Sequence, residues 1–155
     1  MIWLIDKGYV NPNVQTSYPK INGLINVGSK TINVTYNLPV VPSNNNNITI
    51  CQTNKEKINL KYNSSIVVPN NIAICNNGQD ILRQTFPADS SHCELSKDQK
   101  ILSIQLITST FNLPNTNYYA IVGDGALKQL SNGQPLIGIR ENIWSFTTGK
   151  YISIY

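Results

Sequence analysis

Charge is what this chain has least of. Only 13% of its 155 residues are Asp, Glu, Lys or Arg, against a usual share of about 25%. Eight acidic residues are a poor stock for a calcium cage or for the paired carboxylates of a glycosidase. There is one histidine, His92, and there are three cysteines, Cys51, Cys75 and Cys93, with no C-x-x-C spacing. That set gives little support to a zinc site. Neither a glycine-rich phosphate loop nor a G-x-S-x-G elbow is present. No run approaches the ~20 apolar residues of a bilayer-spanning helix. The amino terminus lacks the basic start and long apolar core of a signal peptide. Helical periodicity is almost missing. These absences argue against an enzyme, and no catalytic residue, metal or cofactor is expected.

The net charge is +4, with a pI near 9.0. The basic residues are scattered, and the tightest group, Lys55, Lys57 and Lys61, has Glu56 among it. A nucleic-acid face needs a basic stripe, so no nucleic-acid partner is expected. Polarity comes instead from Asn, Ser, Thr and Gln. The run Asn44–Asn47 reads as a loop in a chain of biased composition.

Period-two alternation is what the sequence has in abundance. Over 30–38, Ile32, Val34, Tyr36 and Leu38 alternate with Thr31, Asn33, Thr35 and Asn37, the pattern of a strand with one wet face. Over 47–51, Ile48 and Ile50 point inward and Asn47 and Thr49 outward. Over 100–107, Leu102, Ile104 and Leu106 share a face. Over 117–123 both faces are apolar, which predicts a central strand. Over 142–148, Trp144 and Phe146 point together into the core, opposite Ile143, Ser145 and Thr147. Turn signals such as Asn22-Gly23, Asn77-Gly78, Pro114-Asn115 and Asn132-Gly133 separate these runs. Short strands so punctuated predict an antiparallel β-sandwich. The one helix-like stretch is short, around 124–130. The segment 52–95 is the least regular, with strands expected near 57–61, 65–68, 72–75 and 81–86.

The two ends of the chain carry a recognisable pattern. Residues 16–40 place Pro19 and Gly23 before a loop and an alternating strand that ends in Tyr36 and Pro39-Val40. Leu113-Pro114-Asn115-Thr116-Asn117-Tyr118 turns into a strand, Gly133-Gln134-Pro135-Leu136 forms a loop, and Trp144-Ser145-Phe146-Thr147-Thr148-Gly149 closes. In this order the motifs resemble bacterial-type Ig-like domains of the S-layer protein kind (SbsA-type). The departure is at Lys128 and Gln129, where such domains carry an Asp. The resemblance implies an all-β, immunoglobulin-like antiparallel β-sandwich over 14–149. It would have an irregular insertion at 52–95, an extension at 1–13 and a tail at 150–155. It further implies a structural or adhesion module of a secreted or cell-surface protein, part of a longer multidomain chain with protein or carbohydrate partners. The alternative is a secreted glycan- or protein-binding domain that uses 52–95.

A Cys75–Cys93 disulfide would close the irregular segment and leave Cys51 over, three reduced thiols being the other reading. His92 and Cys93 are adjacent, so on a strand they face apart and make a poor nucleophilic pair. His92 is then a solvent-exposed loop residue. Asn33, Asn47 and Asn63 head glycosylation sequons, but Asn, Ser and Thr are common enough to give about three by chance. Asp124, between Gly123 and Gly125, reads as a turn residue rather than a calcium ligand. Among the aromatics, Trp144 belongs to the core, and Tyr119, Tyr151 and Tyr155 are freer to meet a ligand.

Overall fold

The computed structural model describes the backbone of residues 5–6 and 9–10, and residues 11–55 and 75–150 in full. Thirteen strands follow one another along these residues. β1 (Ile5–Asp6) and β2 (Tyr9–Val10) pair as a small hairpin. β3 (Val14–Tyr18), β5 (Thr31–Tyr36), β10 (Ile101–Gln105) and β9 (Cys93–Leu95) form a four-stranded sheet in that order. β4 (Gly23–Ile25), β13 (Ile139–Thr148), β11 (Asn117–Val122), β7 (Asn47–Gln52) and β8 (Ile81–Pro87) form a five-stranded sheet. β6 (Val40–Pro42) and β12 (Leu127–Gln129) make a short ribbon beside them.

All pairs are antiparallel except β13 with β4. In the lettering of immunoglobulin domains the first sheet reads A-B-E-D and the second A′-G-F-C-C′. The fold is therefore an Ig-like antiparallel β-sandwich. The expected alternation builds its core. Ile32, Val34 and Tyr36 from β5 and Leu102 and Ile104 from β10 meet Ile48 and Ile50 from β7 and Tyr118, Ala120 and Val122 from β11. Phe111, Tyr118, Phe146 and Trp144 pack edge to face, with ring centroids 4.9–6.1 Å apart. Trp144 is fully buried, and its indole N–H donates to the carbonyl of Pro19 at 2.8 Å. β11 is the middle strand of its sheet, as its two apolar faces foretold.

Local expectations fail in three places. The 124–130 stretch is a turn leading into strand β12, because Leu127–Gln129 pairs with Val40–Pro42. The helical element among the described residues is a 3-10 turn at Thr108–Phe111, tied down by Arg83, which donates to Ser109 O at 2.6 Å and Thr110 O at 3.2 Å. Ile143, expected on the face opposite Trp144 and Phe146, is buried in the same core as they are. The β11–β13 pairing jumps from Ala120↔Trp144 to Val122↔Ile139. The bulge this creates contains Asn142 at φ 68° and turns Ile143 inward. The strand expected near 81–86 is present as β8, but it and β9 belong to the sandwich frame rather than to an insertion. Strands expected at 57–61, at 65–68 and over most of 72–75 lie outside the described residues.

Candidate functional site

Period two sends Thr49 and Cys51 of β7, and Tyr119 and Ile121 of β11, to the outer face of the five-stranded sheet. Thr49, Cys51 and Tyr119 are nevertheless buried. The connection between β7 and β8 supplies a cover. Cys51 is disulfide-bonded to Cys75, with Cα atoms 5.9 Å apart. Cys51, Cys75 and Tyr119 form a second small core, with Ile121 packed against it. The Tyr119 hydroxyl donates to Asp80 Oδ2 at 2.6 Å, while Asp80 Oδ1 accepts the Asn54 amide at 3.0 Å. The Asn76 amide donates to Glu141 Oε2 at 2.8 Å. Within the cover, the amides of Gly78 and Asp80 fold back on the Cys75 carbonyl. Asn76 and Asn77 accept left-handed backbone there, which asparagine tolerates better than most residues. Burial first, then the hydrogen bond and charge of Asp80 and the charge of Glu141, push the Tyr119 phenol far above its ordinary pKa.

Beside this cover lies an open depression of 310 Å³, lined by Ile121, Val122, Gly123, Asp124, Arg140 and Glu141. Asp124 also borders a second opening with Asn45, Gly125, Pro135, Leu136 and Ile137. Asp124 Oδ1 accepts the Gly138 amide at 2.7 Å, which fixes the turn. The depression therefore offers one guanidinium and two carboxylates next to the apolar Ile121. No group of three or more His, Cys, Asp or Glu side chains among the described residues is placed to hold a metal ion.

The structure corrects the expected Cys75–Cys93 disulfide. Cys75 pairs with Cys51, and Cys93 is free. Cys93 stands opposite Ile104 on β9 and packs against the main core. The sandwich thus separates it from Cys75, which lies on the far side of the other sheet. The signal was in the sequence: with Ile48 and Ile50 inward, Cys51 faces outward. Burial and the nearby charge of Asp89 push the Cys93 thiol up to about 11, which keeps it protonated at neutral pH. His92 is not a solvent-exposed loop residue. It is half-buried, stacks on Phe86 with centroids 4.5 Å apart, and its Nδ1 donates to Gln105 O at 2.9 Å.

Asn33 sits half-buried on the outer face of β5, in register with Tyr18 and Ser103. Asn47 is half-buried at the start of β7. Thr49, expected on a wet surface, is covered and hydrogen-bonds Thr85 at 2.8 Å. Tyr119, read as free to meet a ligand, is fully buried beneath the cover. Asn63, Tyr151 and Tyr155 lie outside the described residues. The Asp80–Tyr119–Glu141 constellation had no sequence signal, since its members stand far apart in the chain and only the cover brings them together.

No family model matches the chain, and no curated protein matches it. Solved structures similar to it include two that each cover 92% of the chain. One is CopC from Methylosinus trichosporium OB3b, with a TM-score of 0.51 at 12% identity, over 92% of this chain and 98% of that one. The other is the S-layer protein rSbsC(31-844), with a TM-score of 0.46 at 14% identity, over 92% of this chain and 14% of that one. No helix among the described residues is long and apolar enough to cross a membrane. At such identities the likeness to CopC shows the fold alone, and what this chain shares with that structure is a small β-sandwich.

Proposed function

We propose that this chain is a non-catalytic Ig-like module of a secreted or cell-surface protein, contributing structure or adhesion within a longer chain. The observation that carries the reading is the buried Cys51–Cys75 disulfide and the small core built around it. Structural disulfides persist in oxidising compartments and are rare where thioredoxin and glutathione keep thiols reduced. Two further features support a role without catalysis. The histidine is held by a ring stack and a backbone carbonyl, and the free thiol is a poor nucleophile near pH 7. Alkylation in denaturant without reductant, followed by mass spectrometry of protein from its native host, tests the reading and reports any glycan on Asn33, Asn47 or Asn63. Labelling at Cys93 alone is expected. Labelling of all three cysteines would overturn the assignment.

A second reading is favoured by the depression between the cover and the Asp124 turn. In it the module binds a glycan or a protein partner through 52–95 and the adjoining Arg140 and Glu141. Binding in a glycan array or pull-down that survives Arg140→Ala and deletion of the cover would exclude this reading.

A further inference from the structure

We propose that the Cys51–Cys75 disulfide is a redox latch for the 75–80 cover alone. Two-electron reduction opens the cover and frees Tyr119 and Glu141, while the sandwich stays folded. The main core contains neither Cys51, Cys75 nor Tyr119; these three form their own cluster on the opposite side of the sheet. Besides the disulfide and Ile121, the described contacts of the cover include hydrogen bonds of Asp80 with Tyr119 and with the Asn54 amide and of Asn76 with Glu141, and Asn76, Asn77, Gly78 and Gln79 between the buried Cys75 and Asp80 are themselves not buried. Segments with few buried apolar contacts open locally at far lower cost than the whole fold. Glu141 also lines the depression, so opening the cover changes what that surface presents.

The chemistry balances with a dithiol as reductant. One of its thiolates attacks a cysteine sulfur, the S–S bond breaks, and a mixed disulfide forms. The second thiolate displaces it, closing a cyclic disulfide. Two electrons pass to the protein, and the Cys51 and Cys75 sulfurs each take a proton. Both cysteines are buried, so attack waits on local opening, and the reduction rate should level off as dithiol concentration rises.

The test uses the full chain carrying Cys93→Ser, with and without dithiothreitol, followed by nuclear magnetic resonance. In the reduced protein the Asn54 and Asn76 amides should exchange at least about tenfold faster. The Trp144 indole N–H, bonded to Pro19 in the main core, should keep its rate. One additional tyrosine should titrate near pH 10, the ordinary phenol range. The Cys51→Ser, Cys75→Ser double variant should reproduce the reduced pattern. If the Trp144 indole accelerates together with the cover amides, or the double variant does not fold, the disulfide holds the whole sandwich and the latch is overturned. Unchanged cover amides would overturn it equally, because the non-covalent contacts would then suffice. None of these failures touches the compartment reading, which the alkylation pattern of native protein tests separately.

Discussion

At the scale of single residues, a half-buried thiol and a buried phenol are both held neutral against alkali. The Cys93 thiol is raised from 9.0 to about 11 by burial and by Asp89. The Tyr119 phenol is raised by burial, by its bond to Asp80 and by Glu141. In both, folding favours the neutral form. The stability each contributes is complete below its unfolded pKa and is lost as pH rises through the folded value. Cys93 therefore withdraws its share between about pH 9 and 11, and Tyr119 from about pH 10 upward. Urea midpoints should fall across this range, and Cys93→Ser should remove the earlier part of the fall relative to the parent. An identical alkaline profile for parent and variant would mean that the Cys93 thiol ionises as freely folded as unfolded. Tyr119 also marks where sequence reading stops at this scale. Its alternation gave its face correctly, and nothing local said that this face would be roofed.

At the scale of elements, the loop from β11 to β13 depends on a close backbone approach at Gly138. A Cβ there would overlap the Val122 carbonyl and the Gly123 backbone, and the same residue's amide donates to Asp124. At Gly123 the atoms nearest to a Cβ belong to the exposed Asn46 side chain, which can rotate away at the cost of its bonds to the Asp124 carbonyl and from the Asn47 amide. Gly138→Ala should therefore cost about 1–3 kcal/mol, as overpacking against fixed atoms does. Gly123→Ala should cost less, about 1 kcal/mol, the low-end worth of two exposed hydrogen bonds. Equal denaturant midpoints for the two variants would contradict the backbone contact. The same loop shows which elements the sequence makes legible. Strands β5 and β10 follow from strict alternation, because period two and burial agree along each, whereas in β7 and β11 the alternation fixes the inner face and the outer face is buried as well. β12 does not, since it is three residues long and exists only because β6 lies beside it. The β13 bulge was hidden for the opposite reason: a continuous alternating pattern passes over Asn142, whose left-handed backbone breaks the register. The candidate depression was equally hidden, because it is formed where that bulge meets the end of β11 and the Asp124 turn.

At the scale of the molecule, the question is how much the cover adds to a sandwich that already has a core. Cys51 and Cys75 are separated by 24 positions. Closing a loop of that length removes unfolded-state entropy worth about 3.5 kcal/mol in the chain-entropy model. That figure is a ceiling for the loss on converting both cysteines to serine. If the cover opens in the reduced protein, the folded state regains some of the same freedom and the loss shrinks toward about 1–2 kcal/mol. The two cases also separate in the denaturant slope, which follows the surface exposed on unfolding. A folded state with its cover already open exposes less new surface, so the slope should fall along with the midpoint. Urea unfolding of the double variant should therefore show a loss below about 3.5 kcal/mol with a reduced slope. A full loss at unchanged slope would mean that the hydrogen bonds through Asp80 and Glu141 keep the cover closed without the disulfide, and that the two cores unfold as one.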